Sequence, residues 1–346
     1  MRLLIITQVV DSTDSNLGFF HRWLVEFAKH CAEVTVIAQR VGEYDLPHNV
    51  RVVSLGKEHG YSKLRQLFNF YRIIWRKTSS IDKVFVHMIP MWVVLGAPVF
   101  KLFQKPVYLW YVHRSVTPLL RLAERLAEKI FTASKESFRL ASRRVAIIGH
   151  GIDTAYFVPR PELRLPNVFR IMTAGRIAES KRIKEMVLVI AELKKNHVTT
   201  DKKIEFAVIG GTRNSEDVRY LSELKTLVSD LGLGDSVYFT GSKPYLEIAT
   251  EYQKSDLFLN FSLTGSIDKA VLEAMACGCD VLIANEAFFD ILPKENLLRD
   301  LTQQKLAERI ANFSAQRLSE NNLRQIVLCD YDLKTLIQKI IHSFTP

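Results

Sequence analysis

The tract from Ser255 to Ala284, SDLFLNFSLTGSIDKAVLEAMACGCDVLIA, constrains the fold of this chain most. It runs from an apolar segment, Asp256 to Phe261, through a polar loop, Leu263 to Asp268, to a helix over Lys269 to Cys277, and ends on a second apolar segment, Asp280 to Ala284. Short, uniformly apolar runs read as parallel strands buried on both faces. Ala270, Leu272, Ala274, Met275 and Ala276 are good helix formers, and Gly278 stops the helix as a C-cap glycine does. Strand, helix and strand over so few residues make a crossover between parallel strands. The loop feeds a helix N-terminus, where free N–H groups favour an anion. Glu273 is the charged residue within the apolar turns of that helix. It reads either as a solvated carboxylate or as an acceptor for a pair of hydroxyls such as those of a ribose.

The same alternation extends in both directions. In the first half, strands are expected over Leu3 to Val9, Val34 to Ala38, Val50 to Ser54, Lys83 to His87, Val107 to Val112, Lys129 to Ala133 and Val145 to Ile148. Helices such as Phe19 to His30 and Pro118 to Glu128 lie between them. Pro159 to Pro166 (PRPELRLP) has three prolines in eight residues and reads as a linker. Beyond it come strands over Phe169 to Ala174, Glu205 to Ile209 and Val237 to Phe239, with a helix over Glu185 to Asn196. A chain of 346 residues exceeds one ordinary domain. The expected architecture is α/β: two Rossmann-like domains facing a cleft, over residues 1–160 and 167–330, and a C-terminal helix in residues 331–346.

Charge separates the halves. Residues 1–160 hold 23 Lys and Arg against 12 Asp and Glu; the remainder hold 24 against 25, giving the net +10 of the whole. A basic first half implies an acidic partner such as anionic lipid, nucleic acid or an acidic glycan. Its densest segment is Leu64 to Lys77, LRQLFNFYRIIWRK. Leu64, Leu67, Phe68, Tyr71, Ile74 and Trp75 make one apolar helical face, while Lys63, Arg65, Arg72, Arg76 and Lys77 dominate the rest, interrupted by Phe70 and Ile73. This is either a helix packed on the sheet with a solvated basic back, or an interfacial helix on anionic lipid, extended by Arg139, Arg143 and Arg144. No nucleic-acid-binding module is present to make that partner the preferred one. Ile89 to Phe100 is the most apolar window, about 12 residues against the roughly 20 a spanning helix needs. No signal peptide is expected. Cys31, Cys277, Cys279 and Cys329 lack metal-site spacing and fit a reducing, cytoplasmic location.

Candidate ligand-binding residues gather where strands end. Gly175 and Arg176 follow a strand, and Lys181 stands at the start of the next helix, a combination suited to a diphosphate. Gly210, Gly211 and Gly241 follow other strands and admit close approach of backbone to a ligand. The loop Asp11 to Gly18 follows the first strand and is no G-x-G-x-x-G fingerprint, so no nicotinamide or flavin cofactor is expected. His113 and His87 both end strands, in YLWYVHR and KVFVH, and each is either a core histidine or a donor to a ligand.

Together these residues resemble the family 4 glycosyltransferases, retaining nucleotide-sugar enzymes of GT-B fold, over nearly the whole length. The carriers are the Gly18 loop, Val112-His113, TASKESF (Thr132 to Phe138), GHGIDTAYFVP (Gly149 to Pro159), TAGRIAESK (Thr173 to Lys181), FTG (Phe239 to Gly241) and LEAMACG (Leu272 to Gly278). The resemblance implies that Arg176 and Lys181 hold the donor diphosphate, that Glu273 binds the ribose, that His113 lies close to the donor sugar and that Gly18 approaches phosphates or acceptor. Two departures stand out. Gly265 occupies the position of the family's first paired glutamate, and Leu17 replaces the first glycine of the usual pair before the first helix. Backbone at Thr264, Gly265 and Ser266 is then expected to meet sugar hydroxyls or phosphate, with Asp268 or Lys269 on the sugar; His113 and Asp268 are the candidate catalytic groups. The C-terminal helix is expected to cross back to the first domain. Hexose transfer to a hydroxyl, with retention and no metal ion, is the activity implied. A glycan or lipid-linked acceptor, in cell-surface polysaccharide or glycolipid assembly at the inner face of the membrane, is the expected setting. Loss of the first glutamate keeps open a non-catalytic nucleotide-sugar-binding protein, and a sugar-nucleotide epimerase can share the fold.

Overall fold

A computed structural model describes residues 1–195, 202–262, 265–299, 302–315 and 320–344. The chain divides into two compact units: Met1–Gly151 with Pro244–Leu246 and the residues from Asp332 onward, and Ile152–Lys243 with Glu247–Tyr331.

The first unit is built on β1 (Arg2–Val10), α1 (Phe19–His30), β2 (Glu33–Val41), β3 (Val50–Ser54), α2 (Lys63–Lys77), β4 (Lys83–His87), α3 (Pro90–Leu102), β5 (Val107–Trp110), α4 (Pro118–Leu126), β6 (Lys129–Thr132) and β7 (Val145–Ile147). Its strands form one sheet in the order β3-β2-β1-β4-β5-β6-β7, every neighbouring pair parallel. Alternate residues of β1 face opposite sides, so two apolar layers arise from one strand. Leu4 and Ile6 pack with Phe70, Ile73 and Ile74 of α2, Trp92 and Phe100 of α3 and Leu120 of α4. Leu3 and Ile5 pack with Phe20, Trp23 and Phe27 of α1 and with Leu336, Ile337 and Ile340. Those last residues belong to the C-terminal helix (Leu333–His342), which begins where the Asp332 side chain accepts the Thr335 N–H at 3.1 Å.

The second unit holds β8 (Val168–Ala174), α5 (Ile183–Lys195), β9 (Lys203–Ile209), α6 (Ser215–Asp230), β10 (Val237–Gly241), α7 (Tyr245–Lys254), β11 (Leu257–Asn260), α8 (Lys269–Ala276), β12 (Asp280–Ile283), α9 (Gln303–Ala315) and α10 (Glu320–Asp330), before the C-terminal α11 just described. The strand order is β10-β9-β8-β11-β12, again all parallel. One face is closed by Met186 and Ile190 of α5, Leu224 of α6 and Leu306 and Ile310 of α9. In each sheet the order reverses once, between β1 and β4 and between β8 and β11. Open parallel sheets bind ligands at the carboxyl end of that reversal.

Two expectations change and one stands. The strand expected to end at Val112 stops at Trp110, so His113 lies in the following loop. The apolar window from Ile89 is α3, entered through Pro90 and buried at Trp92, Val93 and Phe100; among the described residues no helix is long and apolar enough to cross a membrane. The buried face of α2 is Phe70, Ile73 and Ile74, whereas Leu64, Phe68 and Trp75 face outward. The reason is that Phe70 and Ile73, which interrupt the basic side of the helix, point at the sheet together with Ile74.

Candidate functional site

The strand-order reversal of the second sheet brings together two loops, one after β8 and one after β11. Gly175 follows β8 with φ +138, donating its N–H to Ile209 O at 2.9 Å. A side chain at Gly210 is impossible without rearrangement, because its Cβ would fall 1.7 Å from Gly175 O. Gly210 N–H in turn donates to Gly241 O at 3.0 Å. The carboxyl ends of β8, β9 and β10 are thus joined backbone to backbone, and they leave a narrow pocket lined by Thr173, Gly175, Arg176, Lys181, Asn260 and Phe261.

Lys181 closes a single turn before α5 and points across to the other loop. Its Nζ donates to Asp268 Oδ2 at 2.5 Å, and Asn260 Nδ2 donates to the same oxygen at 3.0 Å. Asp268 is also the N-cap of α8, its other oxygen receiving Ala270 N–H at 3.4 Å. Burial alone would raise the Asp268 pKa, but the Lys181 charge and the hydrogen bonds from Lys181 and Asn260 outweigh it and hold the carboxyl below the ordinary carboxylate range. A carboxyl with a lowered folded-state pKa gives stability that is present above its unfolded value and lost as pH falls through the folded one. Melting temperature should therefore drop more steeply below about pH 4 in the native protein than in Asp268→Asn, which has no proton to take up. Parallel curves would show that the pair contributes nothing to acid stability.

One turn into α8 is Glu273, buried at 6% exposure and not a solvated helix residue. Tyr252 Oη donates to its Oε2 at 3.2 Å, and Lys269 Nζ stands 3.4 Å from Oε1. Burial pushes the Glu273 carboxyl up and the Lys269 ammonium down, and their mutual attraction opposes both shifts. The carboxylate is fixed in place by groups behind and beside it. The C-terminal end of α8 is pinned as firmly: Gly278 stands at φ +73, Arg164 donates to Gly278 O at 2.6 Å, and Arg324 donates to the carbonyls of Phe157 (2.7 Å), Thr154 (3.2 Å) and Ala276.

Arg176 lies beside this cluster with its guanidinium held by Asp217 in a two-pronged pair, Nε to Oδ2 at 2.7 Å and Nη2 to Oδ1 at 2.8 Å. The hydrogen bonds from Arg176, with help from Arg213 N–H, keep the Asp217 carboxyl below its usual range. Asp217 sits in the first turn of α6, capped by Asn214. If Arg176 meets a phosphate, Asp217 orients it, and Asp217→Asn should weaken the binding of a nucleoside diphosphate by about tenfold, since one charge-assisted contact is weakened. Unchanged binding would remove Asp217 from that role.

The remaining expected residues are more dispersed. Gly241, at φ +75, is exposed with open space around its Cα. Gly265 has φ +66, and a Cβ there would meet nothing, so the backbone and not crowding favours glycine. Ser266 contributes its carbonyl to Asn285 Nδ2 at 2.8 Å. Thr264 lies outside the described residues. In the first unit, Gly18 is buried at the start of α1, where a Cβ would lie 2.5 Å from Asp14 O; it has an ordinary helical φ of −55, and the tight Asp11 to Gly18 loop is what excludes a side chain. His113 is exposed, and its Nδ1 accepts Ser115 N–H at 3.1 Å, which leaves the proton of the neutral ring on Nε2, free to donate. His87 is a core residue: 1% exposed, hydrogen-bonded to Thr7 Oγ1 at 3.2 Å and stacked on Phe20 with centroids 4.0 Å apart. Tyr252, Asn260 and Asp217 are residues of the cluster that the sequence reading does not single out. The N-x-x-D start of α6 is a helix-cap signal that could have placed Asp217; Tyr252 offers none.

Comparison with known proteins places this geometry. Residues 160–326 match the family described as Glycosyl transferases group 1. The putative colanic acid biosynthesis glycosyltransferase WcaL of Escherichia coli (strain K12) is 26% identical over 211 residues, 58% of this chain and 48% of that protein. The alpha-monoglucosyldiacylglycerol synthase of Streptococcus pneumoniae is 26% identical over 164 residues, 44% of this chain and 35% of that protein. The chain thus spans half or less of the length of these two curated relatives. Among solved structures, Anabaena HepE in complex with UDP-glucose superposes with a TM-score of 0.74 at 18% identity, covering 100% of this chain and 99% of that one. Sucrose-phosphate synthase from Thermosynechococcus elongatus gives 0.72 at 16% identity, covering 99% and 98%. Both likenesses are of fold. The matched segment runs from before β8 into α10 and includes the elements that carry Lys181, Asp268 and Glu273, and the chain as a whole has the GT-B fold of the solved structures.

Proposed function

We propose that this chain is a retaining, metal-independent glycosyltransferase that moves a hexose from a nucleoside diphosphate sugar to a hydroxyl of a glycan or lipid-linked acceptor, in the assembly of cell-surface polysaccharide or glycolipid. The observation that carries the reading is the convergence of Gly175, Lys181, Asp268 and the buried Glu273 at the strand-order reversal of the second sheet. Glu273, held by Tyr252 and Lys269, accepts the ribose hydroxyls. Lys181 and Arg176 take the diphosphate and offset the charge that grows on it as the sugar leaves. Backbone at Gly241, Gly265 and Ser266 approaches phosphate or sugar, and Asp268, once Lys181 turns to the phosphates, meets sugar hydroxyls. His113 donates from Nε2 to the sugar, and Gly18 belongs to the acceptor side. The names of WcaL and of the alpha-monoglucosyldiacylglycerol synthase favour a cell-surface acceptor, and the UDP-glucose bound to HepE favours a UDP donor.

A thermal-shift screen against UDP, GDP, ADP and their sugar conjugates tests the donor. One base family should stabilise the protein, and its sugar conjugate should be consumed only when a hydroxyl acceptor is added. Conversion without acceptor would indicate an epimerase. Stabilisation without any turnover would indicate a non-catalytic nucleotide-sugar binder.

A further inference from the structure

The first unit exposes apolar surface that its fold does not require. On α2, Leu64 is 79% exposed, Phe68 68% and Trp75 59%. They stand four and seven residues apart, which aligns them along one side of the helix. The opposite side already supplies Phe70, Ile73 and Ile74 to the core. The exposed row continues onto the end of α3, where Leu102 is 65% exposed and Phe103 meets Trp75 edge to face at 6.0 Å between centroids. The third helix of the same layer, α4, adds Leu119 and Leu122 at 39% and 43%. Single exposed leucines are ordinary; a continuous row of large apolar side chains marks a surface of interaction.

Charge tells what that surface meets. The fifteen residues of α2 include Lys63, Arg65, Arg72, Arg76 and Lys77 and no acidic residue. Arg65, Arg72 and Arg76 follow the helix at spacings of seven and four, forming a cationic row beside the apolar one. Lys101 and Lys105 flank the α3 end, and Arg121 and Arg125 lie on α4. A second copy of this chain would oppose like charges across such an interface, and nucleic acid could stack bases on Phe68 and Trp75 but would leave Leu64 and Leu102 facing water. An anionic lipid surface satisfies both rows at once: acyl chains take the apolar side chains while the arginines reach back to phosphate. We propose that α2, with the end of α3 beside it, seats the first unit on an anionic membrane surface through Leu64, Phe68 and Trp75. This deepens the reading above by naming where the acceptor's membrane would be met, yet it rests on the first unit alone and is tested without any nucleotide.

The chain reports on it directly. Of its four tryptophans, Trp23, Trp92 and Trp110 are 2%, 2% and 3% exposed, so a change in emission on vesicle addition reads Trp75. Phosphatidylglycerol vesicles should shift the emission to the blue and brominated lipid should quench it; phosphatidylcholine vesicles should do neither, and Trp75→Phe should lose the signal. In vesicle sedimentation, Arg72→Glu with Arg76→Glu should weaken binding by about tenfold or more, as should Leu64→Ser with Phe68→Ser, and ~0.5 M salt should weaken it further. Both pairs are solvent-facing, so melting temperatures should match the native protein. The proposal is overturned by absence of sedimentation with phosphatidylglycerol, by binding that leaves Trp75 emission unchanged, or by undiminished binding of Leu64→Ser with Phe68→Ser. A Trp75 shift that follows protein concentration without lipid would assign the surface to a second copy instead.

Discussion

Lys181→Ala is expected to remove about half or more of the thermal stabilisation that a nucleoside diphosphate gives to the native protein. A ligand at a hundredfold excess over its Kd stabilises the folded state by about 2.7 kcal/mol, and a hydrogen bond to a charged group is worth about 1.5–3 kcal/mol. Removing the lysine should therefore weaken nucleotide diphosphate binding by roughly tenfold to a hundredfold, and sugar transfer by at least as much, because the same charge acts on the departing diphosphate. The variant also leaves Asp268 without its cation, although Asn260 Nδ2 still donates to it. The double variant Lys181→Ala with Asp268→Asn separates the two effects: it should recover the melting temperature of the unliganded protein but not the nucleotide shift. Nucleotide stabilisation that is undiminished in Lys181→Ala would remove the lysine from the donor site and, with it, the main support for the proposed activity.

The largest loss of stability is expected at Gly210. A methyl group there would lie 1.7 Å from Gly175 O, which is itself bound in place by the hydrogen bonding of the strand ends. Neither backbone can move without opening the pocket between them. Gly210→Ala should cost about 3 kcal/mol or more, the sum of overpacking and a strained backbone, read as a lower urea midpoint for the second unit. It should also weaken nucleotide binding, because Gly175 lies in the loop that carries Lys181. Gly211→Ala is the control: its Cβ would meet only the Ser242 side chain, at 2.4 Å from its hydroxyl, which can rotate away. If the two variants unfold at the same midpoint, the close approach of Gly210 to Gly175 is not what limits this position.

These two residues show how differently parts of the site are legible in sequence. The strands can be read because buried parallel strands are short apolar runs: β11 and β12 are apolar over most of their length, and β8 and β9 become so past Arg170 and Glu205. Lys181 draws attention because it follows a strand-end glycine at a helix start, but the sequence there, with Arg182 and Lys184 beside it, is equally that of a solvated basic turn. The partners of the site residues cannot be read. Asp268 and Lys181 are 87 positions apart and Arg176 and Asp217 41 apart, and nothing local in either segment requires the other. Glu273 is ambiguous for a related reason: its burial is decided by Tyr252, on a helix that sequence periodicity does not mark. The orientation of α2 differs from expectation because nearly every side of that helix carries apolar residues, so a helical period alone does not say which side meets the sheet. His87 ends β4 and His113 follows β5, but only packing distinguishes a ring stacked on Phe20 from one open to solvent.

The C-terminal helix has a consequence for the order in which this protein can be made. Its Leu336, Ile337 and Ile340 close the same apolar layer as Phe20, Trp23 and Phe27, from the opposite end of the chain. The first unit is therefore discontinuous in sequence. During synthesis its sheet emerges from the ribosome early, but that layer stays open until the residues from Asp332 onward follow. The second unit, contiguous but for Pro244–Leu246, can complete its own core sooner. Folding should then run opposite to the direction of translation, with the N-terminal unit finishing last, and a nascent chain arrested before Asp332 should present a protease-sensitive first unit beside a resistant second one.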